Sequence, residues 1–120
     1  MKLSLTQIAI LAAYAAGMAG GQMLFKLAAL RMAPDGTLVE RTLGLAQNWA
    51  FLAALAVYLG LSALWVWILT FTPLSRAYPF VALAFAITPL LGGLLFSEPL
   101  SARLLVGIGV ILVGLLLVAG

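Results

Sequence analysis

From Thr6 to Arg31 the chain reads TQIAILAAYAAGMAGGQMLFKLAALR, an apolar run broken by one internal charge, Lys26. A helix that crosses a bilayer needs about 20 mostly apolar residues, and this run supplies them. Lys2 ahead of it resembles the start of a secretory signal. However, the apolar stretch continues past Gly20 and Gly21 to Leu30, longer than the apolar region of such a peptide, so it reads as a membrane helix. Working outward, further apolar runs predict helices over residues 6–31, 49–71, 76–96 and 100–119. The expected fold is all-α: an integral membrane bundle of four transmembrane helices, one domain over residues 1–120.

Composition supports the same reading. Of 120 residues 66% are hydrophobic and 8% charged, against about a quarter charged in soluble domains, so the surface must face lipid. The six basic residues are scattered and give a net charge of +3, with no block suited to nucleic acid. The chain has no Cys and no His, which removes disulfides, thiolate nucleophiles, imidazole bases and the commonest metal ligands. No metal and no cofactor is expected. Glu98 and Asp35 fall in separate predicted loops without a nucleophile beside them, so an enzyme is not expected either.

The connections carry their own signals. Pro34-Asp35-Gly36 ends the first helix, and Asp35 to Asn48 is the longest polar stretch, with Leu38, Leu43 and Leu45 apolar enough to rest at the membrane interface. Trp49 at one end of the second span, and Trp65 and Trp67 toward the other, bracket it. Thr72-Pro73-Leu74-Ser75 is a tight turn. In the third span Pro79 and Pro89 are predicted hinges, with Pro89 expected to kink or loosen the helix. Four spans put both termini on one side. Lys2 and Arg76 on that side face Arg31, Arg41 and Arg103 on the other, a split with little orientational bias.

Lys26 is the most informative residue. In hydrocarbon a charge costs a few kcal/mol unless it finds a partner or water. Gln22 lies one turn earlier on the same face, so amide and ammonium form a small polar site suited to phosphate or another anionic headgroup. The competing reading is snorkelling, because Arg31 is roughly 8 Å further along the helix and within reach of a lysine stem. Glu98, in Ser97-Glu98-Pro99-Leu100-Ser101-Ala102-Arg103, reads first as an interfacial cap for the fourth helix and second as a substrate contact, with Arg103 able to pair with it or with a lipid phosphate. Arg76 and Tyr78, beside Pro79, form an interfacial cluster at the opposite face, either a topology anchor or a headgroup contact. Gly17 and Gly21 in the first span, and Gly107 and Gly114 in the fourth, form small-residue stripes for packing or for a dimer seam.

Four short helices, Pro73 with Ala77-Tyr78 after it, and Gly107 to Gly114 in the last helix resemble the small multidrug resistance proteins and the wider drug/metabolite transporter superfamily, over essentially the whole chain. In the multidrug branch the first helix carries a membrane-embedded glutamate that exchanges protons for cationic drugs. Alignment through Lys26 places Met18 there, which disfavours that chemistry. Gly21-Gln22 with Lys26, Ala77-Tyr78-Pro79, and Glu98-Pro99-Leu100-Ser101-Ala102-Arg103 are more similar to the paired small subunits that flip undecaprenyl-phosphate aminoarabinose. That resemblance implies a multi-pass protein of a bacterial inner membrane that moves a polyprenyl-phosphate sugar. It also implies contact with membrane lipids and pairing as a homodimer or as a heterodimer with a similar subunit. The alternatives are a cation exporter of the same fold and a non-transporting scaffold for a glycosyltransferase.

Overall fold

The computed structural model describes residues 3–32 and 35–119; Lys2 and Pro34, which the sequence reading used, lie outside them. Among the described residues the chain is helical with no strand, and four helical stretches are long and apolar enough to cross a membrane.

Helix α1, Leu5–Leu30, starts with a capping box. Ser4 Oγ accepts from Gln7 N at 3.1 Å and Gln7 Oε1 accepts from Ser4 N at 2.9 Å, which satisfies two amide groups that have no intrahelical partner. The stretch expected to be a loop contains a second helix, α2, Leu38–Ala46. Thr37 caps it through Glu40 N, and Leu38, Val39 and Leu43 stay exposed while Leu45 is partly buried. Helix α3, Trp49–Leu69, ends two residues short of the expected Phe71. Asn48 both caps it, accepting from Ala50 N and Phe51 N, and donates to Ala28 O at 2.9 Å, fastening the start of α3 to the end of α1.

The third span begins at Leu74, earlier than expected, and has three parts: α4 (Leu74–Ala77), a 3-10 turn over Tyr78–Val81, and α5 (Ala82–Phe96). The departure from α geometry lies around Pro79, whose missing N–H suits a tightened turn. Around Pro89 helix α5 is unbroken. Ser97, with a left-handed φ of 54°, ends α5. Helix α6, Ala102–Ala119, is capped by Ser101, whose hydroxyl accepts from Leu104 N at 3.1 Å. That corrects the cap assignment given first to Glu98: the hydroxyl three residues on is placed under the orphan amide, and the carboxylate is engaged elsewhere.

Helix α1 packs between α3 and α5, and α6 packs on α5. At the end of the bundle holding both termini, Leu11, Ile68, Ala77, Phe80 and Leu115 close an apolar core. Arg76 sits at this end and donates to Val118 O at 3.2 Å, satisfying a carbonyl near the C-terminal end of α6. Away from that end the buried positions are mostly small, such as Ala19, Ala50, Ala54 and Gly92. Large apolar side chains point outward, Leu59, Leu94 and Leu117 among them, as a lipid-facing surface requires.

Candidate functional site

Lys26 lies on α1 one turn before its end, and Glu98 lies in the short connection between α5 and α6. Their side chains meet, with Lys26 Nζ 3.2 Å from Glu98 Oε2, in the one ion pair among the described residues. Both are about half exposed, at 42% and 46%. Beside water such a pair is worth less than about 1 kcal/mol. Its larger effect is to hold a charge that, unpaired in hydrocarbon, would cost a few kcal/mol. Neither sequence reading of Lys26 included this partner.

The backbone builds the contact. The left-handed turn at Ser97 reverses the chain over α5, where Gly92 and Gly93 lie beneath it. A Cβ at Gly92 would lie 2.6 Å from Glu98 Oε1, and one at Gly93 would lie 2.7 Å from Leu100 Cδ1. The paired glycines are therefore the clearance through which the carboxylate reaches α1. Both neighbouring side chains depend on it.

From the ion pair an open groove runs between α1 and α5. Its upper part, about 370 Å³, is lined by Gln22, Met23, Phe25, Lys26, Thr88, Pro89, Gly92, Phe96 and Glu98. A further 380 Å³ is lined by Met18, Gln22, Ala84, Phe85, Thr88 and Pro89. Gln22, Thr88 and Pro89 belong to both, so the two spaces adjoin. Because Pro89 has no N–H, the carbonyl of Phe85 loses its helical donor, and both residues line the groove.

Gln22 is fixed from behind. Its Nε2 donates to Tyr58 Oη at 2.7 Å, and Tyr58 Oη donates to Met18 O at 2.9 Å. The Tyr58 ring stacks on Phe25 with centroids 5.3 Å apart. Gly21 leaves room for that ring, since a Cβ there would lie 2.5 Å from Tyr58 Cε2. Gly17 faces Leu61 in the same α1–α3 contact. Those two glycines thus pack within the subunit, whereas Gly107 and Gly114 face open space.

Of the six side chains proposed from sequence to meet substrate, Gln22, Lys26 and Glu98 come together in the groove. Arg103 is exposed at the start of α6 and outside the groove lining. Arg76 and Tyr78 sit at the closed end, with Tyr78 edge-on to Trp65 at 6.3 Å. Sequence reasoning missed Tyr58, Thr88 and Gly92. The signals were there: a tyrosine inside an apolar span, and a Gly-Gly pair in the last turns of the span that precedes a loop acid. A second polar hollow of about 260 Å³, lined by Arg31, Asp35, Glu40, Arg41 and Asn48 among others, lies under α2. Among the described residues no three metal-ligating side chains cluster.

Over 102 residues the sequence is 39% identical to the probable 4-amino-4-deoxy-L-arabinose-phosphoundecaprenol flippase subunit ArnE of Serratia proteamaculans, covering 83% of this chain and 84% of that protein. The protein of the same name from an Enterobacter species is 37% identical over 73 residues, 60% of this chain and 68% of that one. That of Pseudomonas paraeruginosa is 38% identical over 73 residues, 61% and 63% of the two chains. No family model matches the chain, and no solved structure does.

Proposed function

The chain belongs to the ArnE family of flippase subunits, and on that premise we propose that it carries the headgroup of an undecaprenyl-phosphate-linked amino sugar across a bacterial inner membrane. The observation that supports this reading is the open groove between α1 and α5, with an ammonium, an amide and a hydroxyl in its wall. A flippase has to shelter a charged headgroup while the lipid tail stays in the bilayer, so it needs a polar groove open to the side rather than a closed pocket. Lys26 takes the phosphate, and Gln22, held by Tyr58, meets sugar oxygens. Pro89 in the groove wall and Pro79 at the closed end are the proposed hinges.

One subunit of this size leaves the groove uncovered on one side. A second four-helix subunit, identical or similar, supplies the missing wall, and the open Gly107–Gly114 face of α6 is the proposed seam. A cation exporter of the multidrug type is not favoured. Met18, in the lower groove, occupies the place of the embedded carboxylate, and a lone cation that took Glu98 would leave the Lys26 ammonium without its partner.

The test is translocation of the lipid-linked amino sugar in membrane vesicles, read by exposure of the headgroup to an impermeant reagent. Lys26→Met inserted at normal levels is expected to slow it about tenfold or more, the equivalent of one lost charge-assisted contact. An unchanged rate removes the site.

A further inference from the structure

Building on the flippase reading above, we infer that the Lys26–Glu98 pair recognises a zwitterionic headgroup by exchanging partners: the substrate phosphate takes Lys26 and the substrate ammonium takes Glu98. Glu98 is then the residue that separates an amino-sugar phosphate from a neutral or N-acylated sugar phosphate.

Charge balance carries the argument. Lys26 is not a free cation waiting for an anion, because its ammonium is 3.2 Å from a carboxylate. A purely anionic headgroup that displaced Glu98 would leave that carboxylate without a counter-ion beside hydrocarbon, a costly state. A headgroup that brings its own ammonium leaves no charge unpaired. The internal pair is replaced by two external ones, and the net charge of the groove is unchanged throughout.

The placement of Glu98 is built into the fold. The left-handed Ser97 turns the chain back, Gly92 clears the carboxylate's path, and Leu100 seats against Gly93 to hold the loop. Both charged groups face the same groove, which has about 370 Å³ at this level. An acid needed only to fix the topology of the protein would require none of this clearance.

The test uses membrane vesicles from the source organism carrying each variant at its own locus, so that any partner subunit is present. Two probes are compared, undecaprenyl-phosphate aminoarabinose and its N-acetylated form, which keeps the phosphate and loses the cation. Headgroup exposure is read with impermeant periodate in enough excess that cleavage outpaces translocation, both for the sugar diol and for the vicinal amino alcohol that only the amine probe carries, with protein levels checked by immunoblot. Wild type is expected to move the amine probe about tenfold faster than the N-acetyl probe, the size of one ion-pair contact. In Glu98→Gln that ratio falls to near one. Gly92→Ala, which crowds the carboxylate without removing it, lowers the ratio in the same direction. A wild-type ratio near one, or a tenfold ratio that survives Glu98→Gln while Lys26→Met slows both probes, overturns the amine-reading role and leaves the flippase reading standing. Equal slowing of both probes by Glu98→Gln also overturns it, because that is what a merely structural acid would do. Failure of wild type to move either probe overturns the flippase reading itself, and indifference of both probes to Lys26→Met removes the site at Lys26 and the partner exchange with it.

Discussion

The two ends of the bundle are built on opposite principles. At the end with the termini, side chains from α1, α3, α4, the 3-10 turn and α6 pack around Leu11, Ile68 and Phe80, and Arg76 ties α4 to the end of α6. Toward the other end a groove opens between α1 and α5, and a half-exposed ion pair over a glycine floor joins α1 to the α5–α6 connection. In a membrane, lipid tails are as apolar as leucine, so helices associate through packing and polar contacts rather than through exclusion of water. Dense packing therefore marks the end that holds the fold together. Sparse packing with charges marks the end where the proposed cargo would enter.

Substitutions can break or sharpen that contrast. The largest stability effect is expected at the closed end: Leu11→Ala, at a fully buried position, should cost about 2 to 4 kcal/mol in reversible unfolding in detergent, through the cavity it leaves. Next comes the α1–α3 seam, where Gly21→Ala forces the Tyr58 ring away and breaks its bonds to Gln22 and Met18, a loss of about 1 to 3 kcal/mol in the same assay. Arg76→Gln removes an exposed hydrogen bond to Val118 O and should cost no more than about 1 kcal/mol. At the open end Thr88→Val should stay within about 0.5 kcal/mol while slowing translocation. Gly107→Leu, in open space, should leave the subunit's own stability within about 0.5 kcal/mol and weaken its pairing in native mass spectrometry. If Thr88→Val destabilised the fold more than Leu11→Ala, the contrast between the two ends would be lost.

The four spans were legible because bilayer thickness imposes a length and a composition that a single sequence displays directly, as from Thr6 to Arg31. Lys26 and Gln22 were legible for the same reason, since a polar residue within such a run stands out. What the pattern hides is anything that depends on two distant segments meeting. Nothing near Lys26 in the sequence points to Glu98; the link needs a left-handed turn at Ser97 and the absence of a Cβ at Gly92. Glu98 therefore looked like a cap, although Ser101 does that work. Gly17 and Gly107 look alike as small residues in apolar spans, and only coordinates separate the one facing Leu61 from the one facing nothing. Helix α2 was missed because it is short and lies in a stretch whose polar residues, Asp35, Glu40, Arg41, Gln47 and Asn48, read as a loop, and its Thr37 cap with Glu40 three residues on was not used.

The claim on which the account depends is that the headgroup passes through the groove between α1 and α5. The chain has no native cysteine, so Thr88→Cys places a single reporter where the two parts of the groove adjoin. In membranes whose partner subunit carries no reactive thiol, a water-soluble maleimide should label it, and excess lipid-linked amino sugar should slow that labelling severalfold. Labelling at the same rate with and without the substrate, or no labelling at all, would contradict the account.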